Sequence, residues 1–166
     1  MKGRRTTDDG RRFSDPKGLE DELRIQGGGA LRGRVRVPGD KSISHRAVML
    51  GALTSGASHI QGFLPSGDCL ATLGCMCALG VHVEQLGPTE RDDEQMLIVF
   101  GQGLYGLRPP AGPLNCARSG TTMRLLSGIL AGQNWEPHRG AATVLTGEPQ
   151  LLARPMRRIT DPLLFF

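Results

Sequence analysis

Aromatic side chains are scarce: one Trp, one Tyr and five Phe in 166 residues. So few rings leave little to stack on nucleobases, and a net charge of +4 is modest, so no nucleic-acid partner is expected. Long apolar runs are missing too. None approaches the ~20 residues of a membrane span, and the N-terminus has no apolar signal core. Neither a membrane partner nor secretion is expected, and the location expected is the cytoplasm. Cysteines number four. Cys75-Met76-Cys77 lacks the two-residue gap of most zinc ligand pairs, and Cys69, Cys75 and Cys77 fall on one apolar helical run. Reduced thiols packed in a core fit this better than a metal site, and no metal or other cofactor is expected. His45, His59 and His82 are scattered over separate elements and read as packing or surface residues. A nucleotide-type phosphate loop is excluded, because that motif needs Gly directly before Lys-Ser and Asp40 stands there.

With 39% apolar residues and 24 glycines, the chain can bury one ordinary, loop-rich core. Its most informative stretch is Pro38-Gly39-Asp40-Lys41-Ser42-Ile43-Ser44-His45-Arg46. Gly33-Arg34-Val35-Arg36-Val37 before it alternates as a half-buried strand does. The run from Ala47 to Leu53 after it lacks that alternation and is long enough for a buried helix. Pro38-Gly39 makes the turn, and Asp40 or Ser42 can cap the helix. Lys41, Ser42 and Arg46 then surround a helix N-terminus, where free N–H groups and the helix dipole favour an anion. Solvated surface charge is the competing reading of Lys41 and Arg46.

Taken in order, residues 1–22 are polar, without apolar periodicity, and read as a disordered extension. Their acidic residues Asp8, Asp9 and Asp15 speak against a transit peptide. Residues 23–26 give a weak strand and residues 31–37 a better one. A helix ends near Ser55-Gly56, a strand covers residues 57–64, and Ser66 or Asp68 caps a second helix over residues 69–79. Strands at residues 81–84 and 96–100 follow, joined across a charged turn at residues 91–94. The order from residue 31 is β-α-β-α-β-β. A Gly/Pro-rich connection, a helix at Gly120–Ala131, a strand at residues 142–145 and a loop at residues 146–149 complete the pattern. Arg46 and Arg124 each sit in the first turns of an apolar helix after a polar turn, as a repeated α/β unit would place them.

Val37-Pro38-Gly39-Asp40-Lys41-Ser42-Ile43-Ser44-His45-Arg46-Ala47 resembles the N-terminal signature of the 5-enolpyruvylshikimate-3-phosphate synthase (3-phosphoshikimate 1-carboxyvinyltransferase) family. Two later stretches carry the same resemblance in the right order. They are Ser119-Gly120-Thr121-Thr122-Met123-Arg124-Leu125-Leu126, and Leu145-Thr146-Gly147-Glu148-Pro149-Gln150 through Arg154-Pro155-Met156. The resemblance runs over residues 23–162. It implies an α/β fold of repeated β-α-β-α-β-β units, an inside-out α/β barrel that is incomplete here. Residues 23–39 would then belong to the opposite domain, so that strand 31–37 would lack its sheet, and residues 40–166 would be a truncated N-terminal domain. The expected protein is longer than this chain and monomeric.

The activity implied is transfer of the enolpyruvyl group of phosphoenolpyruvate to the 5-hydroxyl of shikimate 3-phosphate, with release of phosphate. By motif position Lys41 resembles the catalytic lysine that touches both substrates, and Ser42 and Arg46 resemble residues that hold shikimate 3-phosphate. Gly120 and Arg154 resemble residues that close on phosphoenolpyruvate. Asp68, Thr121 and Arg124 are further candidates, with a plain cap open for Asp68 and a structural ion pair open for Arg124. One departure stands out: many members carry Asn where this chain has Arg118, which adds a charge beside the anion loop. Two other functions fit less well. A sister transferase acting on UDP-N-acetylglucosamine carries Lys-Asn where Lys41-Ser42 stand, and a truncated, noncatalytic anion-binding remnant would bind without turnover.

Overall fold

Each of the three long helices starts at a side-chain cap that the sequence supplies. A computed structural model describes residues 27–30, 32–35, 37–87, 96–135 and 142–165. Helix α1 covers Lys41–Leu53, and the Asp40 carboxylate accepts the Ile43 N–H at 2.7 Å. Helix α2 covers Gly67–Ala78 behind Ser66, and helix α3 covers Gly120–Ala131 behind Ser119. Each cap satisfies one N–H that the first turn leaves without an intrahelical partner.

The chain divides into two units, Met1–Val35 and Arg36–Phe166. In the first, residues 27–30 and 32–35 carry no helix or strand. This corrects the strand expected at residues 31–37, of which residues 31 and 36 lie outside the described set. Val35 is 86% and Val37 76% exposed, so the alternating pattern buries no face. Without a neighbouring edge to take its N–H and C=O groups, a strand-like sequence has no ladder to join. The expected extension at residues 1–22, the short strand at residues 23–26 and the turn at residues 91–94 also lie outside the described residues.

The second unit begins α-β-α-β-β, one strand short of the expected order. Strands β1 (Ser55–Gln61), β2 (His82–Leu86) and β3 (Met96–Gln102) form an antiparallel sheet in the order β1-β3-β2. The apolar run of β3 explains its central place, since it pairs on both edges, from Ser55↔Gln102 to Gln61↔Met96 and from His82↔Phe100 to Leu86↔Met96. Its alternate residues Leu97 and Val99 are buried against the helices. They join Val48, Met49 and Ala52 of α1 and Leu73 and Met76 of α2 in one core, which Met123 and Leu126 of α3 extend. Cys69, Cys75 and Cys116 are buried free thiols as expected, whereas Cys77 is exposed. It falls on the solvent side of α2, where the helical period turns it away from the core. Cys75 Sγ donates to the Asn115 carbonyl at 3.5 Å, and the neighbouring Cys116 thiol together with burial pushes the Cys75 pKa up.

A second, smaller pairing follows. Strand β4 (Leu114–Asn115) lies parallel to β5 (Leu145–Thr146), with α3 in the connection. Parallel partners need such a crossover. The strand expected at residues 142–145 thus shifts to two residues, the loop after it holds at residues 147–148, and helix α4 (Pro149–Leu152) follows with Pro in the first turn. Helix α5 (Arg157–Leu163) was not foreseen, and Leu164 and Phe165 after it are exposed. Among the described residues, no helix is long and apolar enough to cross a membrane.

Gly39 fixes how α1 enters this core. A Cβ there would lie 1.8 Å from the Gly62 carbonyl oxygen and 3.1 Å from the Leu64 nitrogen. Both are backbone atoms, and the Leu64 N–H is itself held by the Ser44 hydroxyl at 3.0 Å. Gly39→Ala is expected to lower stability by about 2 kcal/mol through overpacking. A denaturant titration checks this by its midpoint, and an unchanged midpoint would show that the turn can move aside.

Candidate functional site: a cationic cleft

The first residues of α1, α2 and α3, namely Lys41, Gly67 and Gly120, all line one open cleft of about 530 Å³. Ser66, Asp68, Arg118, Thr121, Arg124 and Arg154 complete its wall. Three helix N-termini directed to one space bring three sets of free N–H groups and three positive dipole ends together. The lining side chains add four cations, Lys41, Arg118, Arg124 and Arg154, against the single carboxylate of Asp68. Such a lining is suited to small molecules with more than one negative charge.

Local structure explains each placement. Because Ser66 caps α2, Asp68 is left free in the first turn, and its carboxylate is in ion-pair contact with the Lys41 ammonium. The plain-cap reading of Asp68 is therefore replaced. The Cys69 thiol also donates to the Lys41 carbonyl at 3.6 Å, tying the starts of α1 and α2 together. Arg124 lies one helical turn after Gly120 on the same face of α3. Arg154 follows α4 and precedes Pro155, in a bend that frees its side chain from helical packing. A Cβ on Gly120 would lie 2.7 Å from Nη1 of Arg124 and 3.0 Å from Nη1 of Arg154. Both guanidinium groups thus crowd a position that carries no side chain.

Beneath the cleft runs a buried hydrogen-bond chain. Thr122 Oγ1 donates to Ser119 Oγ at 2.6 Å, and Thr72 Oγ1 lies 2.7 Å from Thr122 Oγ1. His45 Nδ1 lies 2.6 Å from Thr72 Oγ1. Each hydroxyl has one proton. With the Thr122 proton on Ser119, Thr72 must donate to Thr122, and His45 must donate from Nδ1. His45 is then the neutral Nδ1–H tautomer, and its buried Nε2 has no partner among the described residues. Desolvation lowers its pKa below the ordinary 6.5; nearby Asp68 opposes the shift, and Lys41 and Arg46 reinforce it. His45 packs, as expected of it, while His59 and His82 are exposed.

Six of the expected site residues therefore come together: Lys41, Asp68, Gly120, Thr121, Arg124 and Arg154. Ser42 and Arg46 do not line this cleft. They are exposed on α1, where Arg46 Nη1 donates to the Ser42 carbonyl at 3.2 Å. Sequence reasoning missed the linking role of Thr72 and Thr122, which no local pattern marks. It noted Arg118 only as an added charge; its place two residues before Gly120 was the available signal.

An α/β fold here brings three helix N-termini and four cations to one cleft, an arrangement suited to anions. Comparison with known proteins makes this specific. The sequence profile of EPSP synthase (3-phosphoshikimate 1-carboxyvinyltransferase) matches residues 25–164. The 3-phosphoshikimate 1-carboxyvinyltransferase of Methylococcus capsulatus is 54% identical over 136 residues, covering 82% of this chain and 28% of that protein. That of Alkalilimnicola ehrlichii is 54% identical over 142 residues, covering 86% and 29%. EPSP synthase from Acinetobacter baumannii superposes with a TM-score of 0.69 at 43% identity, over 84% of this chain and 28% of that one. The chain belongs to the EPSP synthase family. It spans about 28% of the length of these relatives.

Proposed function

We propose that the chain forms one wall of the active cleft of a longer 3-phosphoshikimate 1-carboxyvinyltransferase. The reaction joins the 5-hydroxyl oxygen of shikimate 3-phosphate to C2 of phosphoenolpyruvate, and the tetrahedral adduct then loses inorganic phosphate. The observation that carries this reading is the crowding of Arg124 and Arg154 over Gly120, in a cleft that Lys41 shares. Two planar forks suit the phosphate and carboxylate of phosphoenolpyruvate. A glycine between them lets backbone N–H groups approach the same anion. Lys41, paired with Asp68, would hold a proton for the reacting carbon atoms. Ser42 and Arg46, exposed beside the cleft on α1, would take the phosphate of shikimate 3-phosphate. The sheet of β1, β2 and β3 with its helices, followed by β4, α3 and β5, supports a fold of repeated α/β units around buried helices. The enzyme would work as a monomer in the cytoplasm, where its four cysteines stay reduced.

Calorimetric titration with shikimate 3-phosphate tests the half-site. Saturable binding is expected, weakened about tenfold in Lys41→Ala as one charge-assisted hydrogen bond is lost. Equal affinity in the variant would remove Lys41 from the site. For the activity, a longer protein containing this sequence should release phosphate from the two substrates together, and no release would overturn the assignment.

A further inference from the structure

Arg118 is aimed at the cleft by an unusual turn. Ala117, just before it, has φ of 49°, the single positive φ of a non-glycine residue among those described. Side chains other than glycine rarely take that conformation, and it persists only where its surroundings enforce it. They do so here from two sides. The Ala117 N–H donates to Asn115 Oδ1 at 2.8 Å, and the Ala117 carbonyl accepts the Glu148 N–H at 2.8 Å. On the second side, Gly147 approaches so closely that a Cβ there would lie 2.6 Å from the same carbonyl. The turn after β4 is thus clamped to the segment after β5, and Arg118 and Glu148 face each other across that clamp.

Their contact is loose. Arg118 Nε lies 3.4 Å from Glu148 Oε1, with the side chains 67% and 49% exposed. The contact runs through Nε, and the same Arg118 side chain lines the cleft. Exposed pairs of this kind hold little energy and exchange readily. Glu148 is the cap residue of α4, yet its side chain makes no capping hydrogen bond, so its carboxylate has no second structural task there.

We propose that Arg118 is a specificity-determining residue that trades its contact with Glu148 for the bound substrate anion, with Glu148 as the competing counter-ion. The inference rests on the reading above, in which the cleft takes a phosphorylated carboxylic acid. In the empty cleft Glu148 is the carboxylate beside the Arg118 guanidinium. When the anion arrives, the guanidinium turns its donors to phosphate or carboxylate and releases Glu148. Arg118 and Glu148 then act on affinity with opposite signs.

The test is a double-mutant cycle on the 166-residue chain, titrated with phosphoenolpyruvate at fixed ionic strength. Arg118→Gln is expected to weaken binding about fivefold, and Glu148→Gln to tighten it about threefold, as expected for gaining or freeing one partly exposed charged contact. In the Arg118→Gln background, Glu148→Gln is expected to change nothing, since the competition needs both groups. A tightening by Glu148→Gln that persists without Arg118 would reduce Glu148 to a general charge effect and overturn the exchange. Equal affinity of wild type and Arg118→Gln would overturn the role of Arg118 and leave the cleft assignment standing. Absence of saturable binding by wild type would overturn both. Both side chains are exposed, and matching melting curves of the variants would show that folding is unchanged.

Discussion

Gly120→Ala is expected to weaken phosphoenolpyruvate binding about a hundredfold, with little change in melting temperature. The new methyl group would stand 2.7 Å and 3.0 Å from nitrogens of Arg124 and Arg154. Those nitrogens are the far ends of flexible side chains, so folding survives by letting them swing away. Binding does not have that freedom. The space above Gly120 is where both guanidinium groups would meet one ligand, and displacing two charge-assisted contacts at about 1.5 kcal/mol each corresponds to that factor. Titration calorimetry paired with thermal melting separates the two quantities. Retained affinity would place the ligand elsewhere in the cleft. A large fall in melting temperature would mean that Gly120 serves the fold and not the site.

Thr72→Val is expected to do the reverse: cost about 3 kcal/mol of stability, or about 10 °C in melting temperature, while adding no bulk. Thr72 is the middle of the buried chain, bonded to His45 on one side and Thr122 on the other. Valine keeps the shape but leaves the His45 Nδ1–H without an acceptor, and Nε2 of the same ring already has no partner. Thr122 loses a donor but keeps its bond to Ser119. Leaving buried donors unmet is where the cost arises. An unaltered midpoint would mean that water or a rearranged hydroxyl replaces Thr72.

The same ring sets a pH dependence. The His45 pKa is lowered in the folded chain, so the unfolded chain binds the extra proton first as pH falls. Stability is then full above the ordinary value of about 6.5 and falls as pH drops below it, by at most about 1.4 kcal/mol per unit, until the lowered value is passed. Melting curves between pH 8 and pH 5 would show this slope, and His45→Asn should flatten it.

Much of this was legible in the sequence because it is local. Asp40 or Ser42, and Ser66 or Asp68, mark two helix starts by cap chemistry, and the apolar run at residues 96–100 marks a strand. The motifs around Lys41, Gly120 and Arg154 name most of the cleft lining. What the sequence hid is set by partners far along the chain. The alternation at residues 31–37 says that a face could be buried, not that an edge exists to receive it. Lys41 and Asp68 read as a helix-start cation and a possible cap, and only the packing of α1 on α2 makes them an ion pair. Thr72 and Thr122 look like ordinary helix residues until three helices meet. Arg118 reads as a changed residue, but the turn that aims it depends on Asn115, Gly147 and Glu148 together.

The buried chain beneath the cleft also bears on the order of folding. Its links join residues 27 and 50 positions apart, so each closes a loop that costs chain entropy before any contact rewards it. No one segment can assemble the helix N-termini in advance. A nascent or partly unfolded chain that has docked α1 on α2 but not yet α3 holds Lys41 and Asp68 without Gly120 and Arg124, and offers an anion only one side of a site. An anion that needs every side of the cleft would therefore bind late, to chains already closed. In a cell it would act as a folding clamp, protecting the finished cleft from proteolysis while leaving unfinished chains exposed.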